Sequence, residues 1–267
     1  MAIDETQSSI HVIREPQVHL VGRQIVDEDA LAEFLSEHEV QGWSTDSPVA
    51  AERLVETAGR VCYMSFQRPR PGGNKAYIGH ILEVGHGSVL EHAVFNLLIT
   101  GISRSLTHEL VRHRAGFGFS QLSQRFIDES ACAFVEPAAI AADPELHRVW
   151  LEAMQASQAA YRVLADRLAA TFSDIPDRTL RRKKAREAAR SVLPNATETK
   201  IFITANARAL RHFIEARGDA AADVEIRRLA IAVLRLLQAE APNLFGDYTI
   251  IDLPEGGHAV TTPHRKV

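Results

Sequence analysis

Cysteine is scarce: the 267 residues hold only Cys62 and Cys132, far apart and in neither a CxxC pair nor a zinc-ligand spacing. That excludes a disulfide-built scaffold and fits a reducing compartment, and both read first as small buried hydrophobes. Long apolar runs are missing too, with nothing near the about 20 consecutive residues a membrane span needs. The first residues, MAIDETQSSIHVIREP, lack a basic stretch followed by an apolar one. The expectation is a cytoplasmic protein with no membrane partner. Positive charge is not in excess, since 30 Lys+Arg against 34 Asp+Glu leave a formal net charge of -4. With aromatic residues at 6%, a nucleic-acid platform of cations and stacking rings has little support. Any cation cluster is therefore a local device.

Several familiar chemistries are absent as well. There is no GxxxxGK[ST], no GxSxG and no HExxH, and GHGSVL ends in Leu90 where a dinucleotide fingerprint needs glycine. His86 and His92 are six apart, the wrong helical phase for joint ligation, so no metal is expected. Neither cysteine has activating cations beside it in sequence, which leaves thiolate catalysis without support.

What is present is a soluble globular composition, 46% hydrophobic and 24% charged, long enough to bury a large core. A strand-like piece from His11 to Val21 precedes an acidic amphipathic helix from Asp27 to Glu39, and GWSTDSP at 42–48 is a turn. Helices are expected over 50–62 and 75–84, with RPRPGGN at 68–74 as a loop between them. AVFNLLITG at 93–101 reads as a strand, and Ser103 can cap a helix through SRSLTHELVRHR that the glycines at 116 and 118 stop. QRFIDE reads as a short strand. Helices follow over 144–172 and 179–193, then a buried strand at 199–205 and helices over 206–216 and 219–241. With four or five strands among dominant helices and no internal repeat, the expectation is one compact α+β domain, its mainly antiparallel central sheet flanked by long helices. Residues 1–48 form an extension packed on the core, 49–252 the catalytic domain and 253–267 a tail.

Three clusters carry chemistry. In THELVRHR at 107–114, helical spacing sets Glu109 beside Arg112 and His113. A solvated helix end with cations complementing the macrodipole is the plain reading. The sequel GFGF offers backbone freedom and flat apolar surfaces, and SQLSQR adds hydroxyl, amide and guanidinium groups, a set that suits a planar anionic ligand. RRKKAREAAR at 181–190 is a basic helix face, solvated or at a subunit contact, but Arg190 sits among small apolar neighbours where an acidic partner or a phosphate would serve it. In TANARALRHFIEARGD at 204–219, Asn206 opens a helix whose free N–H groups can meet an anion. Arg208 and His212 share one face, and Arg217 ends the helix before Gly218; ordinary helix polarity accounts for these equally well.

RHR, eight residues and Ser123 match the RHR-x(7 or 8)-S signature of the flavin-dependent thymidylate synthases, the thymidylate synthase-complementing family. The chain further resembles that family in GHGSVLEH at 85–92, ITGISRSLTHELVRHR at 99–114, SQLSQR at 120–125, AARSVLPNATET at 188–199, NARALRHF at 206–213 and DVEIRRLAI at 223–231, covering about residues 50 to 250. The resemblance implies an α+β homotetramer with active sites where subunits meet. It also implies FAD, NADPH and methylenetetrahydrofolate, with dUMP converted to dTMP. It assigns Ser88, Arg112, His113, Arg114, Gln121, Asn206, Ala207, Arg208 and His212 to the flavin. It assigns Glu109, Leu110, Val111 and Arg112, then Gln121, Leu122, Ser123, Gln124 and Arg125, together with Arg190 and Arg217, to the nucleotide. Arg217 is the implied catalytic residue, polarising the pyrimidine. Alternatives on the same fold are a C5-methylase of UMP and a flavin- or nucleotide-binding homologue without catalysis.

Two departures matter. AGFGF lengthens the RHR-to-Ser spacing to eight, which can reshape a loop over the flavin. Many relatives carry a histidine after the arginine corresponding to Arg217, where this chain has Ala221. Chemically, C5 of uracil must become nucleophilic, and without a cysteine adding at C6 the activation has to come from polarising the ring. A guanidinium near N3 and O4 does this with a rigid, permanently charged fork. Ser123 would orient the nucleotide, a serine nucleophile being the competing reading, and Arg125 and Arg190 would hold the phosphate.

Overall fold

The structure, a computed structural model, describes residues 10–40, 42–68 and 71–267. Its first elements are β1 (Val12–Ile13), β2 (Gln17–Gly22), α1 (Glu28–Glu37), α2 (Ala50–Tyr63), α3 (Gly73–Glu83), β3 (Val94–Ser103), α4 (Arg104–Leu110), β4 (Phe117–Gln121) and β5 (Phe134–Val135). There follow α5 (Ala138–Ala141), α6 (Pro144–Thr171), α7 (Arg178–Ala189), β6 (Glu198–Asn206), α8 (Ala207–Arg217), α9 (Val224–Glu240), α10 (Pro242–Phe245), β7 (Thr249–Asp252) and β8 (His258–Thr261). The α+β class is as expected. The chain forms two compact units, one of residues through Pro16, 100–108 and 121–201, the other of residues 17–99, 109–120 and 202–267.

The central sheet is ordered β2-β3-β6-β4. Its sense follows from two end-to-start bonds: Asn206 N, at the end of β6, donates to Gly116 O just before β4 at 3.1 Å, and Ala207 N donates to Ala93 O just before β3 at 2.8 Å. Both neighbours of β6 therefore run antiparallel to it. Phe95, Leu97, Ile99, Ile203 and Ala205 are buried while Asn96 and Thr204 between them are less so, the period of two that one covered sheet face imposes. In α9, Ile226, Leu229, Ala230, Val233, Leu234 and Leu237 repeat at threes and fours and are buried. Each large apolar side chain so buried contributes about 1.5–3 kcal/mol, and α9 packs on α8, α10 and β2. A smaller cluster joins Leu35, Val40 and Phe66 around Trp43.

The first unit is built on α6. Asp143 caps it, its Oδ1 accepting from Glu145 N at 2.8 Å, and Pro144 fills the first turn where no N–H is needed. Cys132, Phe134, Trp150 and Met154 form its core, and α6 packs along α7. The short strands β1 and β5 pair in parallel, Val12 with Phe134 and Ile13 with Val135.

Four local expectations are corrected. The described residues form eight strands rather than four or five. Helix α3 begins at Gly73, inside the expected loop, of which residues 69 and 70 lie outside the described residues. QRFIDE is a turn, because Phe126 N and Ile127 N both bond back to Ser123 O at 3.2 and 3.0 Å. Helix α4 stops at Leu110, short of RHR: Arg112 N and His113 N reach back only three residues, to Glu109 O and Leu110 O, the tightened geometry of a terminating turn. Gly116, at φ +73, then turns the chain, and Phe117–Gln121 is strand rather than loop. Ser103 does cap α4, its Oγ accepting from Leu106 N at 3.0 Å.

Candidate active site

In the second unit the site is built around α8. Strand β6 ends in Asn206, whose Oδ1 accepts from Ala209 N at 2.8 Å and so caps the helix. A cleft of about 250 Å³ lies at this helix start, lined by Glu91, Ala115, Gly116, Asn206, Arg208 and His212. Gly116 makes its wall thin, since a Cβ there would stand 2.8 Å from both Ala209 Cβ and Asn206 Nδ2. Arg208 pairs with Glu91 at 2.7 Å. Ser88 is exposed on the 3-10 stretch Gly87–His92 that also carries Glu91. Ala207 is fully buried, so any ligand contact it makes is through its backbone. A helix N-terminus with a guanidinium in its first turn and flat walls suits a planar ligand bearing phosphate.

Arg217, in the last turn of α8, is gripped at two points. Its Nε donates to His113 Nε2 at 3.0 Å and its Nη1 to Glu109 Oε2 at 2.7 Å. To accept from a guanidinium, His113 must be neutral. Its pKa is pushed down to about 4, first by burial and then by the charges of Arg217 and His212. The ring is further fixed by Phe213 edge-on at 5.4 Å and by His212 at 5.6 Å. Glu109 thus finds its cation not within its own helix, as the spacing suggested, but 108 residues on. Arg112 and Arg114 are exposed and make no ion pair among the described residues. Leu110 is fully buried and Val111 39% exposed, so a ligand meets the first only through backbone.

The first unit holds the second half of the motif. Gln121 Nε2 is held by Thr107 Oγ1 at 3.2 Å and Thr199 Oγ1 at 3.3 Å. Leu122 N bonds Lys200 O, which pins the segment to β6. Beyond it, α7 secures the turn through Arg125 to Glu187 at 2.8 Å and Arg186 to Asp128 at 2.9 Å. Ser123 Oγ accepts only from Arg125 N, at 3.4 Å, and no histidine or carboxylate among the described residues reaches it. Gln124 Nε2 and Arg125 Nε are buried donors without a protein partner, the state expected of groups that serve an anion.

Arg190 is half-buried in a single 3-10 turn after α7 and makes no ion pair among the described residues. The half-buried Arg104 guanidinium lies below its ordinary pKa, first through burial, with Glu129 opposing and Arg190 adding to the shift. Arg104 therefore belongs to this cation group, and sequence reading missed it because SRS gives a helix-start signal and nothing else. Cys132 is buried, and burial pushes its thiol up to about 11, so it supplies no thiolate at neutral pH.

Among the described residues no group of three or more His, Cys, Asp or Glu could hold a metal ion, and no helix is long and apolar enough to cross a membrane. The profile for "Thymidylate synthase complementing protein" matches residues 46–243. The flavin-dependent thymidylate synthase of Mycobacteroides abscessus is 52% identical over 236 residues, spanning 88% of this chain and 93% of that protein. That of Mycolicibacterium vanbaalenii is 53% identical over 223 residues, 83% of this chain and 88% of that protein. In fold the chain resembles the UMP/dUMP methylase PolB from Streptomyces cacaoi bound with 5-Br dUMP, with a TM-score of 0.62 at 21% identity, over 89% of this chain and 96% of that one. The chain belongs to the thymidylate synthase complementing protein family.

Proposed function

We propose that this chain is a flavin-dependent thymidylate synthase that methylates dUMP at C5 to give dTMP, with methylenetetrahydrofolate as carbon donor and NADPH as reductant. The observation that carries the reading is Arg217, held in one orientation by neutral His113 and by Glu109 at the end of the helix that starts the cleft. The residues of that cleft fit FAD: Asn206, Arg208 and the first N–H groups of α8 suit its phosphates. Ser88, Arg112, His113, Arg114, Gln121, Ala207 and His212 complete the proposed flavin contacts. When bound, the flavin supplies hydride chemistry that no side chain can.

The protein's own part is binding and polarisation. Arg125 and Arg190, with Arg104 beside Arg190, hold the 5′-phosphate by charge-assisted bonds of about 1.5–3 kcal/mol each. Glu109 to Arg112 and Gln121 to Gln124 orient the nucleotide. Arg217 stabilises negative charge at N3 and O4 of uracil, through Nη2, which makes no hydrogen bond among the described residues. Because the His113 acceptor stays neutral through the physiological range, its bond holds the direction of the arginine. The Cys132 thiol cannot replace this route, and Ser123 lacks the base a nucleophile needs.

The proposed catalytic domain is 49–252, flanked by the extension 1–48 and the tail 253–267. The active form is a cytoplasmic homotetramer with sites at subunit contacts. UMP is the competing substrate, supported by the name of the fold neighbour. The test is direct: the purified protein should be yellow with FAD, NADPH should bleach it faster when dUMP is present, and dUMP should be turned over in preference to UMP. A colourless protein that does not take up FAD contradicts the reading.

A further inference from the structure

Helix α8 carries Asn206 at its start, Arg208 and His212 along one flank and Arg217 at its end, so its placement sets all four at once. One residue of the helix is a buried cation that none of the functional assignments uses. Arg211 is 0% exposed. Its Nη1 donates to Leu244 O at 2.8 Å and to Asp247 Oδ1 at 2.7 Å, and its Nη2 to Asp247 Oδ2 at 2.8 Å and His264 O at 3.2 Å. The guanidinium lies 4.6 Å from the Tyr248 ring centre. Thr262 Oγ1 donates to Asp247 Oδ2 at 2.5 Å. The same helix face continues in Glu215, which accepts from Tyr248 Oη at 3.0 Å and from Lys266 N at 3.0 Å. It ends in Gly218, whose carbonyl accepts from Val260 N at 2.8 Å.

We propose that Arg211 is a positioning residue: its fork, closed on Asp247 and on the carbonyls of Leu244 and His264, fixes the rotation and axial setting of α8 and so the reach of Arg208, His212 and Arg217. A planar five-donor group meeting a bidentate carboxylate and two carbonyls tolerates little rotation, which a point charge such as lysine would not enforce. The clamp draws on residues 244–264, beyond the 46–243 stretch matched by the family profile. The inference rests on the flavin and nucleotide roles proposed above.

Arg211→Lys tests it, with Thr262→Val as a milder variant at the rim of the same cluster. The three proteins are compared for thermal midpoint, FAD affinity by flavin fluorescence, and kcat and KM for dUMP. Folded Arg211→Lys is expected to bind FAD about tenfold more weakly and to lose about 100-fold in kcat after saturation with FAD. Thr262→Val should shift both in the same direction, by less, with its midpoint close to the wild type. A purely structural role predicts a lower midpoint with FAD affinity and kcat unchanged, and that result in either folded variant overturns the inference. If Arg211→Lys does not fold, Thr262→Val decides alone. A wild-type protein that neither binds FAD nor acts on dUMP contradicts the functional reading instead.

Discussion

Arg217 Nε donates to His113 Nε2 at 3.0 Å, so the histidine of RHR serves the arginine 104 residues later as a neutral acceptor. The pKa of about 4 gives this bond a pH signature. The folded value lies below the ordinary 6.5, so between these limits the unfolded chain binds more protons than the folded one, and stability falls as pH drops through that window. His113→Gln, which can accept through its amide oxygen without titrating, should flatten this part of the curve. Thermal midpoints from pH 7 to 4 check it: below 6.5 the wild type falls more steeply than the variant.

Gly116 is required for its φ of +73 and for lack of a Cβ. Gly116→Ala would press a methyl against Ala209 and Asn206, and is expected to destabilise by more than about 1 kcal/mol. Denaturant midpoints measure that loss, and FAD affinity should fall with it because the strained atoms belong to the cap of α8.

Arg190→Ala should raise KM for dUMP by about 10- to 150-fold, the equivalent of one charge-assisted bond of about 1.5–3 kcal/mol. FAD affinity should hardly change. Steady-state kinetics on the FAD-saturated enzyme separate the two.

Cys62→Ala combined with Cys132→Ala should retain methylation of dUMP, since the buried Cys132 thiol is pushed up to about 11 and no step needs a thiolate. Ser123→Ala should lower turnover without abolishing it. A nucleotide covalently trapped on Ser123 would show that the serine attacks.

Much of this was legible where local chemistry decides structure. Ser103 and Asn206 each cap the helix that their position announces, and α9 shows its buried stripe at threes and fours. Legibility failed where distant partners decide. Glu109 was read against Arg112 and His113 on a continuing helix, but α4 tightens and stops, and the carboxylate pairs with Arg217. AGFGF was read as part of a loop because glycine permits anything locally, whereas pairing beside β6 makes Phe117–Gln121 a strand. Arg211 looked like one more polar residue on α8, and only Asp247 and the carbonyls of Leu244 and His264 explain how it is wholly buried. The resemblance supplied Arg125 and Arg190, whereas the interaction of Arg104 with Arg190 is visible only in the fold.

The central claim is that Arg217 polarises the pyrimidine, and the most direct measurement is dTMP formation by FAD-saturated Arg217→Ala given dUMP, methylenetetrahydrofolate and NADPH. The predicted result is a fall in kcat of at least about 100- to 1000-fold, with the yellow FAD complex largely intact. A variant that loses flavin and regains wild-type turnover once FAD is resupplied would contradict it.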